Sequence, residues 1–558
     1  MGADQVMVLS VIVAVIVSTT TIAMGIKGFS TVPVWDQWGA LTGADIWRLV
    51  FQQHNEHRVV FPLLFFLADI KLANGTNVIN TVAIYVILIV QALQIAWLAA
   101  RSPSGIKNSA FIALCSIAVT FMLSSYQWEN FLWGFQVAFV SVTLVATLAF
   151  TSITFVPGIR GVLLGAALGA AAAFSLANGI LVPIVGLALA AFTGRRIRDI
   201  IVLGGLCALT LVAFFYGYHK GPHALAGPTE LLRAVRYYLL YLGAPFGQAV
   251  GVLIPGGEMK NGFAVTAGGL GVVLALALAV HALLHRRDTT KEQWVLLHLL
   301  GFLSLTGAIT AVGRSPLGLH QAFSSRYGTP VLLFWLVLFV FPIAKKSMLG
   351  RVYSHIKPGL IIGTLVVLVV IQGQGIKDGQ GFFPARHDVR LALLSRVAHP
   401  ALYKKVFPDP DFVTRQSALL ERERLGPFSE PWAGWFGKQL SEAVTIINPD
   451  NCRGSFDRAA PVSGGASTFS IAGWAWDRIS KTPPDGIVAV GSDGKVIGYA
   501  SVTDARPDVR RAVAEVATRR VGWHGFLKSD PGNTITAYAV MNNMTVACPL
   551  SGPQTVSP

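Results

Sequence analysis

Long apolar runs, separated by short polar connections, dominate the first two thirds of this 558-residue chain. Those at 6–26, 78–100, 109–124, 137–156, 162–177, 181–193, 199–217, 263–285, 292–312, 330–344 and 358–374 approach the ~20 residues that a helix needs to cross a bilayer. They predict an α-helical polytopic membrane protein with about eleven transmembrane helices. Segment 59–72 is short for a span and ends in Asp69 and Lys71, so it reads as an interfacial or re-entrant helix. The pair 162–177 and 181–193, joined by Asn178-Gly179, reads as a helical hairpin whose turn need not leave the protein.

Beyond about residue 375 the pattern changes. Residues 384–430 alternate charged and apolar positions and predict short helices broken by Pro400, Pro408 and Pro410. From about 467 a period of two takes over, in Thr468-Phe469-Ser470-Ile471-Ala472-Gly473-Trp474-Ala475-Trp476 and in Ile487-Val488-Ala489-Val490. Asp493-Gly494 then favours a tight hairpin into Val496-Ile497-Gly498-Tyr499, and strands over 534–541 and 544–548 complete a small β-sandwich. The expected division is a transmembrane domain over 1–375, a helical linker over 376–450 and a β-rich domain over 451–558.

Composition agrees with a bilayer setting. Only 13% of residues are charged, against about 25% in a typical soluble domain, and 53% are hydrophobic. Met1 to Gln5 lacks the basic region of a secretory signal, so the first run reads as a retained span. The net charge of +16 does not point to nucleic acid, because many basic residues sit in short connections between spans. Arg101 and Lys107, Arg160, Arg195, Arg196 and Arg198, Arg286, Arg287 and Lys291, and Lys345, Lys346 and Arg351 all fall on one side. By the positive-inside rule that side, with the N-terminus, is cytoplasmic. The 27–58 loop, the Trp128-Glu129 turn, the 218–262 connection, the Arg314–Arg326 loop and the tail are then extracytoplasmic. Cys115 and Cys207 lie in apolar runs and read as core filler, while Cys452 and Cys548 suit an extracytoplasmic disulfide. Closing that loop would contribute ~4–5 kcal/mol in the chain-entropy model.

The candidate chemistry concentrates in the extracytoplasmic loops. The first contains Trp35-Asp36-Gln37-Trp38 and His54-Asn55-Glu56-His57-Arg58. Charges near a bilayer cost on the order of 2.5–3.5 kcal/mol each when buried, so such a cluster calls for a function. Asp36 between two tryptophans suits a carboxylate at a sugar site; the alternative is an aromatic belt with a helix-capping Asp. Asp45 reads as the cap of an amphipathic stretch over 45–51. His54 and His57, with Asp36 or Glu56, make a divalent metal a candidate cofactor, although His-x-x-His alone is weak. Arg58 with His57 suits phosphate, and Glu56 could instead form an ion pair with Arg58 or a remote arginine. Arg314, His320, Arg326 and Tyr327 add two external arginines, which call for anionic company, and Glu129 is a second carboxylate flanked by aromatics. Trp474, Trp476 and Trp523 suit either sugar stacking or a core. There is no nucleotide-binding glycine loop and no Ser-His-Asp spacing. Energy for a reaction must therefore come from an activated substrate.

This layout resembles the GT-C superfamily of integral-membrane glycosyltransferases, which use polyprenyl-phosphate-linked sugars. The resemblance covers roughly residues 1–375 and rests on the first span, the acidic first loop with Asp36, the re-entrant segment and the number of spans. Trp-Asp-Gln-Trp lacks the paired acids of some members, which leaves metal dependence open. The resemblance implies a polyprenyl-phosphate sugar donor, a glycan or lipid acceptor and inversion at the donor carbon. It also implies Asp36 as general base with Glu56 second, and donor phosphate held by Arg58, His57, Arg314 and Arg326. Trp35, Trp38, His54, Glu129, His320 and Tyr327 are the expected substrate contacts. A bacterial inner membrane is the expected location. Rival readings are a transporter or flippase of lipid-linked saccharides, a metal-free glycan ligase or polymerase driven by arginines, and a non-catalytic sensor.

Overall fold

The computed structural model describes residues 3–41, 53–101, 107–219, 227–341, 348–462 and 467–557. The 45–51 stretch, Lys220, Lys345 and Lys346 lie outside the described residues. The protein is mostly helical, with a C-terminal β-sheet domain. Seven helices are long and apolar enough to cross a membrane: Asp4–Lys27, Val78–Ala100, Asn108–Leu132, Gly134–Phe155, Ile197–Phe215, Gly257–Leu284 and Lys291–Leu317. Each coincides with an expected span. Three further expected spans are the shorter apolar helices Gly158–Ala173, Ala177–Phe192 and Ser325–Val340. The last, 358–374, lies inside one helix of 47 residues, Met348–Leu394.

Two compact units form. The first comprises Met1–Phe29, Gly43–Ala68 and Val78–Gly381; the second comprises Ser30–Thr42, Asp69–Asn77 and Phe382–Pro558. The expected linker and β-rich domain are thus one unit, which also takes in two pieces of the N-terminal region. These pieces join it through the backbone: the Trp35 N–H donates to the Val406 carbonyl and the Gly426 N–H to the Asn74 carbonyl, both at 2.8 Å.

In the first unit, large apolar side chains stand uncovered on helix faces, including Ile201 and Val212 at 67% and 66% exposure. Continuous apolar faces of this kind suit contact with lipid. The helices approach each other through small residues, as membrane helices do. Gly161, Gly165 and Gly169 line one face of Gly158–Ala173 at four-residue spacing, and a Cβ at Gly165 would strike Ile153. The Asn178-Gly179 hairpin forms as expected, because a Cβ at Gly179 would collide with the Ala172 carbonyl of the preceding helix. The expected 218–262 connection instead contains a 26-residue helix, Pro228–Leu253. Its Gly243 meets the backbone of Gly257–Leu284 so closely that a Cβ would overlap the Ala264 carbonyl. Sequence periodicity missed this helix because its first turns carry Glu230, Arg233 and Arg236 and lower its mean hydropathy.

Buried amides stitch the bundle. Gln372 accepts from the Ser125 N–H through Oε1 at 2.8 Å and donates through Nε2 to the Thr20 and Thr21 hydroxyls at 3.0 and 2.8 Å. Its carbonyl accepts the Ser125 hydroxyl at 2.7 Å. One turn on, Gly375 lets the helix lie directly on the Ser125 backbone. Gln91 with Thr147 and Asn178 with Thr306 make further buried cross-helix bonds.

The second unit is built on nine strands: β1 Thr445–Ile446, β2 Cys452–Pro461, β3 Thr468–Asp477, β4 Gly486–Val490, β5 Val496–Ala505, β6 Arg520–Lys528, β7 Thr534–Met541, β8 Val546–Pro549 and β9 Gln554–Thr555. They pair as one sheet in the order β1-β8-β7-β4-β5-β6-β3-β2, with β9 on β7. The expected two-layer sandwich is therefore corrected to a single sheet that bends back on itself. The returning edge bonds there, the Phe456 N–H to the Ser551 carbonyl and the Gln554 amide to the Phe456 carbonyl, both at 2.9 Å. The alternation on β4 shows why it is buried on both faces. Ile487 and Ala489 join the inner core with Phe469, Trp523 and Ile535, whereas Val488 and Val490 join a second core with Val389, Leu393, Val413 and Trp432. The Gly494 turn (φ 79°) closes the β4–β5 hairpin as expected. Cys452 and Cys548 form the expected disulfide, 96 residues apart in sequence, and Cys115 and Cys207 are free.

Replacing Gln372 with leucine removes these bonds together. Leaving the buried Ser125 N–H without an acceptor costs roughly 1–3 kcal/mol. The purified Gln372→Leu protein should melt several degrees below wild type in detergent; equal melting would show that the amide is dispensable.

Candidate functional site

The first unit gathers several predicted residues at the ends of its helices. His54 and His57 exchange backbone hydrogen bonds around a tight turn, at 2.8 and 2.9 Å, with Asn55 in the left-handed region (φ 50°). The turn presents Glu56, whose Oε1 pairs with Arg314 Nη2 from the end of Lys291–Arg314. The remote-arginine alternative for Glu56 is thus the one that forms. The Ala177 N–H donates to His57 Nδ1 at 3.0 Å, which leaves the ring proton on Nε2, 3.6 Å from Glu56 Oε1. His54 packs against Phe135, ring centroids 5.7 Å apart.

Arg58 departs from its expected role. Its side chain is buried, and Nε donates to the Phe214 carbonyl at 2.7 Å while Nη2 donates to the Tyr216 carbonyl. Those carbonyls end the Ile197–Phe215 helix, so the guanidinium caps a helix C-terminus rather than facing a phosphate.

A second group surrounds Glu129. Its Oε2 accepts from the Ser324 hydroxyl (3.1 Å), the Ser325 hydroxyl (2.7 Å) and the Arg326 N–H (2.9 Å). This carboxylate therefore fixes the loop that carries Arg326. Arg326 Nη2 donates to Gln321 at 3.3 Å, and its Nε is buried without a hydrogen-bond partner among the described residues. Ser315 Oγ is in the same condition. Arg314 and Arg326 both lie within electrostatic reach of the buried Tyr237 hydroxyl. Tyr327, an expected substrate contact, is buried against Tyr241 at 5.7 Å between ring centroids.

Beside this group opens a cavity of about 340 Å³, lined among others by Glu129, Gln248, His320, Ser324 and Asp378. Asp378 escaped the sequence reading. It follows the last apolar run in Gln372-Gly373-Gln374-Gly375-Ile376-Lys377-Asp378, where an abrupt return of polar residues was the available signal. Gln374 donates to Asp378 Oδ1 at 2.6 Å.

Asp36 belongs to the other unit. Trp35, Asp36 and Trp38 belong to the second unit, so Asp36 and Glu56 do not form a pair within one unit. Trp35 is exposed (φ 48°), whereas Trp38 is fully buried in the core with Val389 and Trp432. Packing, not stacking on a sugar, is the role that burial gives Trp38. Trp476 and Trp523 are likewise core residues, and Trp474 packs partly buried against one. Among the second unit's partly buried aromatics, Trp435 and Phe436 lie on a groove of about 1020 Å³ with Arg396, Glu421 and Lys438. No group of three or more His, Cys, Asp or Glu side chains converges as a metal site among the described residues.

Comparison of the chain with known protein families, with characterised proteins and with solved structures returns no match.

A titratable cluster unforeseen from sequence lies in the second unit. His524 on β6 donates from both ring nitrogens, to Asp388 at 2.9 Å and to Asp504 on β5 at 2.8 Å. The Asp388 hydrogen bond foremost, with Asp504 and against burial, raises its pKa from 6.5 to about 9. His387, its ring 6.2 Å away and bonded to Ser501, is pushed down to about 4, mainly by burial. A cation and a neutral ring thus lie side by side. Because the folded His524 pKa exceeds the unfolded value, its stabilisation is complete below about pH 6.5 and is lost as pH rises through about 9. At a site a third exposed this amounts to roughly 2 kcal/mol after screening. Melting of the purified wild type should fall across that window and His524→Gln should flatten the profile; a flat wild-type profile would contradict the assignment.

Proposed function

We propose that the protein is a glycosyltransferase that moves a sugar from a polyprenyl-phosphate donor to an extracytoplasmic glycan or lipid acceptor. The observation that carries this reading is the pair Arg314 and Arg326 beside Tyr237, with Arg326 Nε and Ser315 Oγ buried and unpartnered among the described residues. A buried donor without an acceptor costs roughly 1–3 kcal/mol, and an arginine's planar fork matches phosphate oxygens. A phosphate there would answer both. The adjoining cavity, near the lower end of ligand-pocket volumes, is lined by hydroxyl, amide and carboxylate groups suited to a sugar.

The chemistry follows. The acceptor oxygen attacks the anomeric carbon, the bond from that carbon to the phosphate oxygen breaks, and polyprenyl phosphate leaves with the electron pair. Arg314 and Arg326 stabilise the charge that develops on the leaving group, and a carboxylate takes the acceptor's proton. Direct displacement inverts the donor carbon. The proposed setting is a bacterial inner membrane, with the N-terminus cytoplasmic and both the loop cluster and the second unit extracytoplasmic. That orientation places the basic connections on the cytoplasmic side.

The test is deletion of the gene in its host and complementation with wild type or Arg326→Gln at equal membrane levels. Surface glycans and glycolipids are then read by mass spectrometry. Wild type should restore a missing sugar, and Arg326→Gln should lower its formation by about 10²–10³-fold, as removal of one charge-stabilising donor does. Unchanged glycans on deletion, or full restoration by Arg326→Gln, would refute the reading.

A further inference from the structure

Four segments distant in sequence bring polar groups to the 340 Å³ cavity: Glu129 from the turn after Asn108–Met122, Gln248 from Pro228–Leu253, His320, Ser324 and Ser325 from the loop after Lys291–Arg314, and Asp378 from Met348–Leu394. Its two carboxylates are not equivalent. Glu129 Oε2 takes three donors, two hydroxyls and a backbone N–H, and holds the Arg326 loop in place. Asp378 takes the side-chain amide of Gln374, from its own helix, at 2.6 Å. Its helix is fixed against the Ser125 turn by Gln372 and by the close approach at Gly375, so the aspartate stands one turn beyond a rigid contact. Lys260 from Gly257–Leu284 is within electrostatic reach of Asp378, its ammonium 4.1 Å from the Phe323 ring centroid at the cavity wall.

We infer that this cavity binds the acceptor hydroxyl and that Asp378, not Asp36, is the general base of the transfer, with Glu129 as a positioning residue. The inference rests on the glycosyl-transfer reading above. In the step, the acceptor O–H bond breaks and its proton passes to the Asp378 carboxylate. The oxygen forms the new bond to the anomeric carbon, and the carbon–oxygen bond to the leaving phosphate breaks. The groups that face Asp378 are Glu129 and His320 across the cavity, Lys260 from the neighbouring helix and Lys377 beside it in the chain. Asp36 belongs to the other unit.

The experiment compares wild type, Asp378→Asn, Asp378→Glu and Asp36→Asn in the deleted host. Product is read by mass spectrometry, and polyprenyl phosphate released by isolated membranes is followed against pH. Equal membrane levels and equal melting temperatures confirm that each variant folds. Loss of product by about 10²–10⁴-fold in Asp378→Asn, the range for a lost general base, supports the inference. So do partial recovery in Asp378→Glu, and a wild-type fall in rate at acidic pH that Asp378→Asn lacks. Asp378→Asn within tenfold of wild type, or an acidic limb unchanged by it, overturns the inference while the glycosyl-transfer reading stands. Asp36→Asn losing as much as expected for Asp378→Asn moves the base to the first loop and overturns it as well. If wild type restores no sugar, the reading falls and the inference with it.

Discussion

The arrangement of the helical unit depends on a buried amide, Gln372. It ties the first helix, through Thr20 and Thr21, to the turn at Ser125 and to the long helix that carries Asp378. In lipid no water would replace a lost partner, so one side chain that satisfies three segments fixes their register as well as their proximity. Gly375 completes the contact by removing the Cβ that would hold the long helix away from Ser125. The Ser125 turn leads directly into Trp128-Glu129, and so one constraint sets both carboxylates of the cavity. Glu129 in turn sets the loop of Arg326 through its three hydrogen bonds.

That chain of dependence separates groups that hold the structure from groups left for chemistry. Arg58, although charged and near the helix ends, is satisfied by two carbonyls and closes a helix. Glu129 is satisfied by a loop. Arg326 Nε and Ser315 Oγ are buried with no partner among the described residues, a state that folded proteins mostly avoid unless a ligand or water is to supply one. The proposed phosphate site follows from that imbalance and not from the number of charges nearby.

Much of the fold was legible because lipid solvation imposes long apolar runs and β-structure imposes alternation. Every one of the seven helices able to cross a membrane coincides with an apolar run, and the Cys452–Cys548 bridge and the Asp493-Gly494 hairpin formed where their chemistry pointed. The helix Pro228–Leu253 was not legible as an apolar run, because Glu230, Arg233 and Arg236 lower the hydropathy of its first turns; its close packing through Gly243 and Gly247 is a long-range property besides. Nor was the single sheet, because which strands become neighbours across it is a long-range property. Within the site, the sequence marked Glu56, Arg314, Glu129 and Arg326 by their place in the polar loops between apolar runs. It could not tell Arg58 from Arg326, since the difference lies in which carbonyls each guanidinium reaches. Trp38 was an expected substrate contact, yet burial in the second unit's core makes it a packing residue.

The proposed site holds a lipid-linked phosphate between Arg314 and Arg326. The most direct measurement is native mass spectrometry of the purified full chain with a polyprenyl phosphate or the corresponding polyprenol, in wild type and in the Arg314→Gln, Arg326→Gln double variant. One polyprenyl phosphate is expected per wild-type chain, at least about tenfold preferred over the polyprenol, with the preference lost in the double variant. Equal binding of phosphate and alcohol by wild type, or a preference untouched by the double substitution, would contradict it.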